Sequence, residues 1–521
     1  MSSCAFLNGN IHTLSGGRVV EALYVENGVI RAAGATADVA PLCQNQVDLR
    51  GRTVIPGFHE SHLHMLSYGA AINSLDLRSC TTAEAVVRAG REKALRERPE
   101  RIWLTGYVSP YAFTRGLLDQ VSEEIPVFYS RISGHTFSPH VSILSKVCCN
   151  TAALRLAGLP LDGCLLRGGA VEPVFPLLPR LSRAEKKEAL ATAAALLAAR
   201  GFTSVHSNDM EDGDMDILES LRELEVEGRL PLRVSMQCLF RTAEDLSAFL
   251  ARDPRPGFDS DKHRVGAVKL VLDGILGDRT SAMERPYADD PENRGLLQYT
   301  PESLRAIIET AHLAGLPVVI HTIGGRAIGM AIDAFAEVLG RLGKGPRHGL
   351  IHCLFLTREQ LRRMAELDLS VMIQPYSAVA DYPLFRDRLE HLPQRPMYGW
   401  KSMLEAGLLV AGGTDCPGDP PDPFLAMQGA LTRQDASGAP EGGFLPEERL
   451  TLDEALRVMT VNGAGLDRTE DRLGVLEPGR LADFVVLSQD IFAAAPEQLT
   501  DTRCLATVVG GQFVHLAEEG F

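Results

Sequence analysis

The sequence predicts an α/β protein: a (β/α)8, or TIM, barrel with a small discontinuous β-sandwich domain built from both termini and an insertion that caps the barrel mouth. Three observations carry this expectation. Eight short apolar runs of strand character recur between residues 54 and 411. Most intervals between them hold a segment of helical periodicity. Both ends of the chain are strand-rich instead.

In chain order, residues 4–55 read as short strands without a helix: Ala5-Phe6-Leu7, Ala22-Leu23-Tyr24-Val25, an Asn27-Gly28 hairpin signal, and Val29-Ile30. The far end mirrors them with Asp483-Phe484-Val485-Val486-Leu487 and two runs flanking Gly510-Gly511. Lone edge strands would be exposed, so the two ends are expected to pair into one domain, residues 1–55 with 470–521. The barrel, 56–469, takes its strands from Val54 to His64, Phe202 to His206, Leu232 to Phe240, Ala267 to Leu272, Val318 to His321, Gly349 to His352, Leu369 to Gln374 and Leu408 to Ala411. A helix from Arg183 to a Gly201 stop carries a capping box, Ser182 with Glu185. Pro301 to Ala314 and Gly325 to Leu342 are further helices. Residues of about 75–181 exceed the barrel count and hold strands of their own at 102–105 and 126–129, which makes them the insertion.

Lys plus Arg number 52 against 67 Asp plus Glu, a formal net charge of −15. That balance argues against nucleic acid or an anionic membrane as partner and leaves a small-molecule substrate. The start, MSSCAFLNGNIHTL, has no basic region before an apolar core, and no apolar run reaches the length of a membrane span. The ten cysteines are scattered without a Cys-x2-Cys pair, as reduced thiols would be. A cytoplasmic protein is expected.

The stretch VIPGFHESHLH, Val54 to His64, carries the first chemistry. Residues two apart in an extended chain share a face, so His62 and His64 can reach one ion. His321 closes Pro317-Val318-Val319-Ile320, His352 closes Gly349-Leu350-Ile351, and Asp415 follows Val410-Ala411-Gly412-Gly413-Thr414. A barrel places its active site at the C-terminal strand ends, where all of these emerge. Lys269 interrupts an apolar strand, a costly place for an ammonium unless it is paired or chemically altered. Singly, each has an ordinary explanation: a core histidine, a turn-capping aspartate, a lysine snorkelling to water. Five such positions at five strand ends make the ordinary explanation insufficient.

PGFHESHLH, the Lys269 strand with Asp273-Gly274-Ile275-Leu276-Gly277-Asp278-Arg279-Thr280, His321-Thr322-Ile323-Gly324, Ile351-His352, Gln374-Pro375, Gly413-Thr414-Asp415 and the tail from Gly474 to Asp483 resemble the amidohydrolase superfamily. Within it they resemble the YtcJ-like, amidohydrolase-3 branch, which includes N-substituted formamide deformylases. The resemblance implies that His62 and His64 hold a first metal with Asp415, that His321 and His352 hold a second, and that a carboxylated Lys269 bridges them. The implied cofactor is divalent, zinc first, one or two per subunit. Two cations acting on one water would lower its pKa and polarise the scissile carbonyl, while Asp415 takes the proton and passes it to the leaving nitrogen. His135 is assigned by the same resemblance to substrate contact or support of the site, and Arg279 and Gln374 to substrate binding. The chain departs from the family pattern at His59-Glu60, Gly325 and Thr414, which alters the residues behind the ligands.

The expected activity is hydrolysis of a carbon–nitrogen bond in a small non-peptide amide, formamide or cyclic amide. Deamination, or another hydrolytic or lyase reaction on the same barrel, is the enzymatic alternative. A catalytically inactive member serving as a binding or assembly protein is the alternative from another class; such proteins generally lose ligands, and none is missing here. Self-association as a homodimer is expected from the resemblance.

Overall fold

Eight parallel strands follow one another in chain order in a single sheet: β1 (Phe58–Leu63), β2 (Phe202–Glu211), β3 (Arg233–Leu239), β4 (His263–Val271), β5 (Val318–Thr322), β6 (Gly349–His352), β7 (Ser370–Ile373) and β8 (Leu409–Gly412). The computed structural model describes residues 3–72, 77, 80–105, 112–130, 146–177, 180–211, 213–252, 260–389 and 397–518. The first and last strands meet at their ends, where the Asp415 N–H donates to the His62 carbonyl at 2.8 Å and the His64 N–H to the Cys416 carbonyl at 2.7 Å. Gly413 makes that approach possible. A Cβ there would lie 2.3 Å from a Glu60 carboxylate oxygen and 2.7 Å from the His62 nitrogen.

Inside the barrel, Ala267, Val319, Ile351, Met372 and Ala411 from β4 to β8 form one small apolar layer. Strand alternation therefore sets Lys269 two residues above Ala267 and His321 two above Val319, facing the same interior. The helices between strands bury one stripe each. Gly325–Leu342 packs Ala327, Ile328, Ala331, Ile332, Phe335 and Val338 inward at helical spacing. Arg183–Ala199 begins on the expected Ser182–Glu185 capping box.

The stretch Val54 to His64 is not one strand. Thr53–Pro56 belongs to a six-stranded sheet with Asn10–His12 on one side and Phe484–Leu487 on the other, and the chain then breaks at Gly57 to enter β1. A Cβ at Gly57 would sit 2.1 Å from the Thr203 side chain, so a closely packed glycine makes the junction. A four-stranded sheet of Ser3–Leu7, Ala22–Glu26, Val29–Gly34 and Gln46–Asp48 packs on the six-stranded one around Phe6, Leu23, Val54, Phe484 and Val508. In the chain between Val29–Gly34 and Gln46–Asp48 runs one helical turn, Thr36–Val39, where the sequence predicts none; four residues are too few to show a period.

Residues 102–167 contribute a separate four-stranded sheet, in the order Leu165–Arg167, Lys146–Cys149, Val127–Ser130, Ile102–Thr105, with its own apolar core. An ion pair from Lys146 to Asp278 ties this sheet to the loop after β4, at the C-terminal face of the barrel. Among the described residues no helix is long and apolar enough to cross a membrane.

Candidate metal centre

His62 and His64 stand at the end of β1 on its inward face. Asp415, past the end of β8, turns one carboxylate oxygen to both: Oδ1 is 3.2 Å from His62 Nε2 and 3.4 Å from His64 Nε2. The ligand atoms of the three residues all lie within 4.8 Å of one another, which a single ion can span. The His352 ring is 5.3 Å from that of His62 and 4.4 Å from that of His321, so the four histidines form one cluster. Alternation from Ile351 would point His352 out of the barrel. Left-handed backbone at His352 (φ 68°) ends the strand there instead, and Asp415 is likewise left-handed (φ 54°).

The rings are oriented from behind. His352 Nδ1–H donates to Gln374 Oε1 at 2.6 Å, which leaves Nε2 with the lone pair. His321 Nε2–H donates to the Gly274 carbonyl at 3.2 Å, which leaves Nδ1. The Asn208 side-chain amide lies 2.6 Å from His62 Nδ1. Burial pushes His62 and His321 down to about 3, assisted by the charge of Lys269, and it drives His352 down as well. These three rings are neutral at pH 7, the form that ligates metal. At His64 burial is outweighed by the Asp415 bond and the net direction is up. Burial opposes ionisation of Asp415 too, but the histidines beside it hold its pKa well below the carboxylate range.

Lys269 is buried at 3% exposure and, among the described residues, makes no hydrogen bond or ion pair. Burial lowers it to about 7 against the pull of Asp415. An ammonium is poorly served there, whereas neutral imidazoles, a carboxylate and an amine that has lost its proton suit a divalent cation. The donor set fits the implied metal.

Two carboxylates brace the site. Glu60 is fully buried, accepts from the His62 and Thr414 N–H groups at 3.1 and 2.8 Å, and takes the Thr414 hydroxyl at 2.9 Å; burial raises it to about 8. Two of the three departures from the family pattern thus bond to each other, locking β1 to the turn that carries Asp415. Asp273 accepts three backbone N–H groups, from Ala282, Ile323 and Gly324, at 2.8 to 2.9 Å, and joins the loops after β4 and β5.

The remaining expected residues lie elsewhere. Gln374, expected at the substrate, is 2% exposed and engaged with His352. Arg279, expected to meet an anionic group, is bound at Nε and Nη2 by Asp289 at 3.0 and 2.6 Å. His135 lies outside the described residues. Asn208 was not foreseen, because β2 runs on to Glu211 and its Ser-Asn-Asp segment reads from sequence as loop.

A parallel barrel with a His-x-His pair, two strand-end histidines, a buried lysine and a strand-end aspartate around one mouth defines a metal-dependent hydrolase of the barrel type. The chain belongs to the amidohydrolase family, whose model matches residues 46–515, in its YtcJ-like, amidohydrolase-3 branch. It is 30% identical to the YtcJ amidohydrolase of Bacillus subtilis over 97% of this chain and 98% of that one. It is 26% identical to N-substituted formamide deformylase of Arthrobacter pascens over 98% of each. Among solved structures it is similar to an uncharacterized metal-dependent hydrolase of Pyrococcus horikoshii, with TM-score 0.79, 26% identity and coverage of 95% of this chain and 99% of that one.

Proposed function

We propose that this protein hydrolyses the carbon–nitrogen bond of a small non-peptide amide, formamide or cyclic amide. The observation that carries the reading is the convergence of His62, His64 and Asp415 within one ion's reach, beside two neutral strand-end histidines and Lys269. Similarity to a formamide deformylase over the full length supports the substrate class.

His62, His64 and Asp415 would hold one divalent ion, zinc first, and His321 and His352 a second. Lys269, whose pKa burial lowers to about 7, is suited to take up carbon dioxide as a carbamate with release of a proton, which would make it an anionic oxygen donor to such ions. When bound, such ions lower the pKa of a water and polarise a carbonyl oxygen. Asp415 is the general base: its side chain is 34% exposed at the mouth, while His62 behind it is 2% exposed, so the carboxylate faces incoming water and substrate. It accepts the water's proton and returns it to the leaving nitrogen, which departs as the neutral amine. Gln374 and the Gly274 carbonyl keep the His352 and His321 rings in tautomers that leave a lone pair for a ligand bond. The ten cysteines are all free, in keeping with a cytoplasmic enzyme; we also propose that it works as a homodimer.

The test is a screen of formamides, N-acyl amines and amino-heterocycles on metal-loaded protein, scored separately for carboxylate and for ammonia. Metal-dependent carboxylate release is expected. Ammonia release from amino-heterocycles alone would replace the reading with deamination, and no turnover of any class by protein with full metal content would overturn it.

A further inference from the structure

The helix that follows the His62-x-His64 pair runs from Met65 to Ile72. The leading N–H groups of a helix need acceptors from outside it, and the side chain of the residue before the helix ordinarily supplies one. Here that residue is His64, whose ring faces Asp415 at 3.4 Å instead. The His64 carbonyl takes the Tyr68 N–H at 2.9 Å, which leaves the N–H groups of Met65, Leu66 and Ser67.

Strand β2 supplies all three acceptors. Ser207 Oγ accepts from the Met65 N–H at 3.0 Å, and Asp209 accepts from Leu66 at 2.9 Å through Oδ2 and from Ser67 at 3.4 Å through Oδ1. The Ser67 hydroxyl adds a bond to Oδ1 at 3.3 Å, and Ser207 donates its own hydroxyl to Oδ2 at 2.5 Å. Asn208, between the two, reaches back to the ligand, with its amide nitrogen 2.6 Å from His62 Nδ1 and 3.3 Å from the Leu63 carbonyl. The Ser207-Asn208-Asp209 segment thus grips the chain on both sides of His64. A regular strand would turn Asn208 and Asp209 to opposite faces. The strand is not regular here: Ser207 pairs with Met236 and Met210 with Cys238, so β2 carries one residue more than β3 over this stretch. Likewise Val205 pairs with Glu60 and Ser207 with Leu63, so β1 carries one more than β2 around His62. An extra residue of this kind re-aims side chains, and such bulges concentrate beside active sites.

We infer that Asp209 is a positioning residue for the first metal ligands: with Ser207 it stands in for the helix cap that His64 cannot provide, and so fixes the backbone on which His62 and His64 are mounted. The inference rests on the reading of these two histidines as metal ligands. Without the carboxylate, the Leu66 and Ser67 N–H groups and the Ser207 hydroxyl lose their acceptor together, and the turn that begins at the residue after His64 is free to shift. A metal tolerates little such movement, because ligand distances are set to within about 0.2 Å.

The experiment is titration of metal-stripped protein with cobalt(II), read by its visible ligand-field absorption, on wild type, Asp209→Ala, Asp209→Asn and His62→Ala, with circular dichroism and thermal unfolding alongside. Asparagine keeps one acceptor oxygen and turns a donor toward the groups at the other, so it tests the contact should the alanine variant fail to fold. His62→Ala is expected to lose the wild-type band. Both Asp209 variants are expected to move the band and to bind cobalt about tenfold or more weakly, as loss of a supporting partner does. Wild-type band and affinity in a folded Asp209 variant, even one that melts at a lower temperature, would make Asp209 a cap for the helix alone and overturn the inference. A wild-type band in His62→Ala would instead overturn the ligand assignment, and the inference with it.

Discussion

Gln374→Leu separates two roles for one residue. Leucine fills a similar volume in this buried position but removes the oxygen that accepts the His352 Nδ1–H at 2.6 Å. The ring must then leave a buried donor unpaired, at about 1–3 kcal/mol, or shift its proton to Nε2 and lose the lone pair that faces the cluster. Either route weakens ligation by His352, and removal of such a supporting partner typically lowers metal affinity or activity about 10- to 100-fold. Chelator competition for zinc gives the affinity, and steady-state kinetics give kcat and KM. The expected result is weaker metal binding with kcat falling in parallel, and recovery in Gln374→Glu, which restores an acceptor. A Gln374→Leu protein with wild-type metal affinity and a defect confined to KM would place Gln374 on the substrate and refute the tautomer argument.

Asp415→Asn keeps the shape and one oxygen but cannot take a proton, so it should retain much of the metal while kcat falls by about 10²- to 10⁴-fold; near-wild-type turnover with metal bound would move the base elsewhere. For Lys269, pKa lowered to about 7 means the neutral amine needed for carbamate formation grows as pH rises through 7. The gain in metal uptake that bicarbonate gives the stripped protein should therefore increase from pH 6 to 8, and Lys269→Gln should abolish that bicarbonate-dependent part while leaving the rise due to His64, whose pKa is raised beside Asp415. By the same linkage the unfolded chain holds that proton up to its ordinary value of 10.5, so the stripped protein should gain stability from this group between about pH 7 and 10.5. Asp273→Ala leaves three buried N–H groups without an acceptor, at about 1–3 kcal/mol each, a large share of a domain's stability; thermal unfolding should show it, and an unchanged melting temperature would count against the bracing role.

The parts of this protein legible in its sequence are those whose signal is local. A histidine closing an apolar run declares its own position, as His321 and His352 do, and the alternation His62-x-His64 declares a shared face. The bracing residues have no local signal. Glu60 looks like any acid near a strand until it meets Thr414, 354 residues away, and Asn208 lies in a polar stretch that finds His62 across 146 residues. Gln374 was legible as part of a site but not in its partner. The same holds for the break at Gly57, which separates two sheets through the bulk of Thr203 rather than through anything adjacent in the chain.

The left-handed backbone at His352 and Asp415 bears on how such a site persists. Each non-glycine residue in that conformation costs roughly 1–2 kcal/mol relative to ordinary backbone. Glycine at either place would relieve the chain and remove a ligand. Under selection for folding alone, these two positions would drift toward smaller residues, because stability and function ask for opposite things there. At these two ends the backbone is held in a costly conformation that keeps each side chain directed at the cluster.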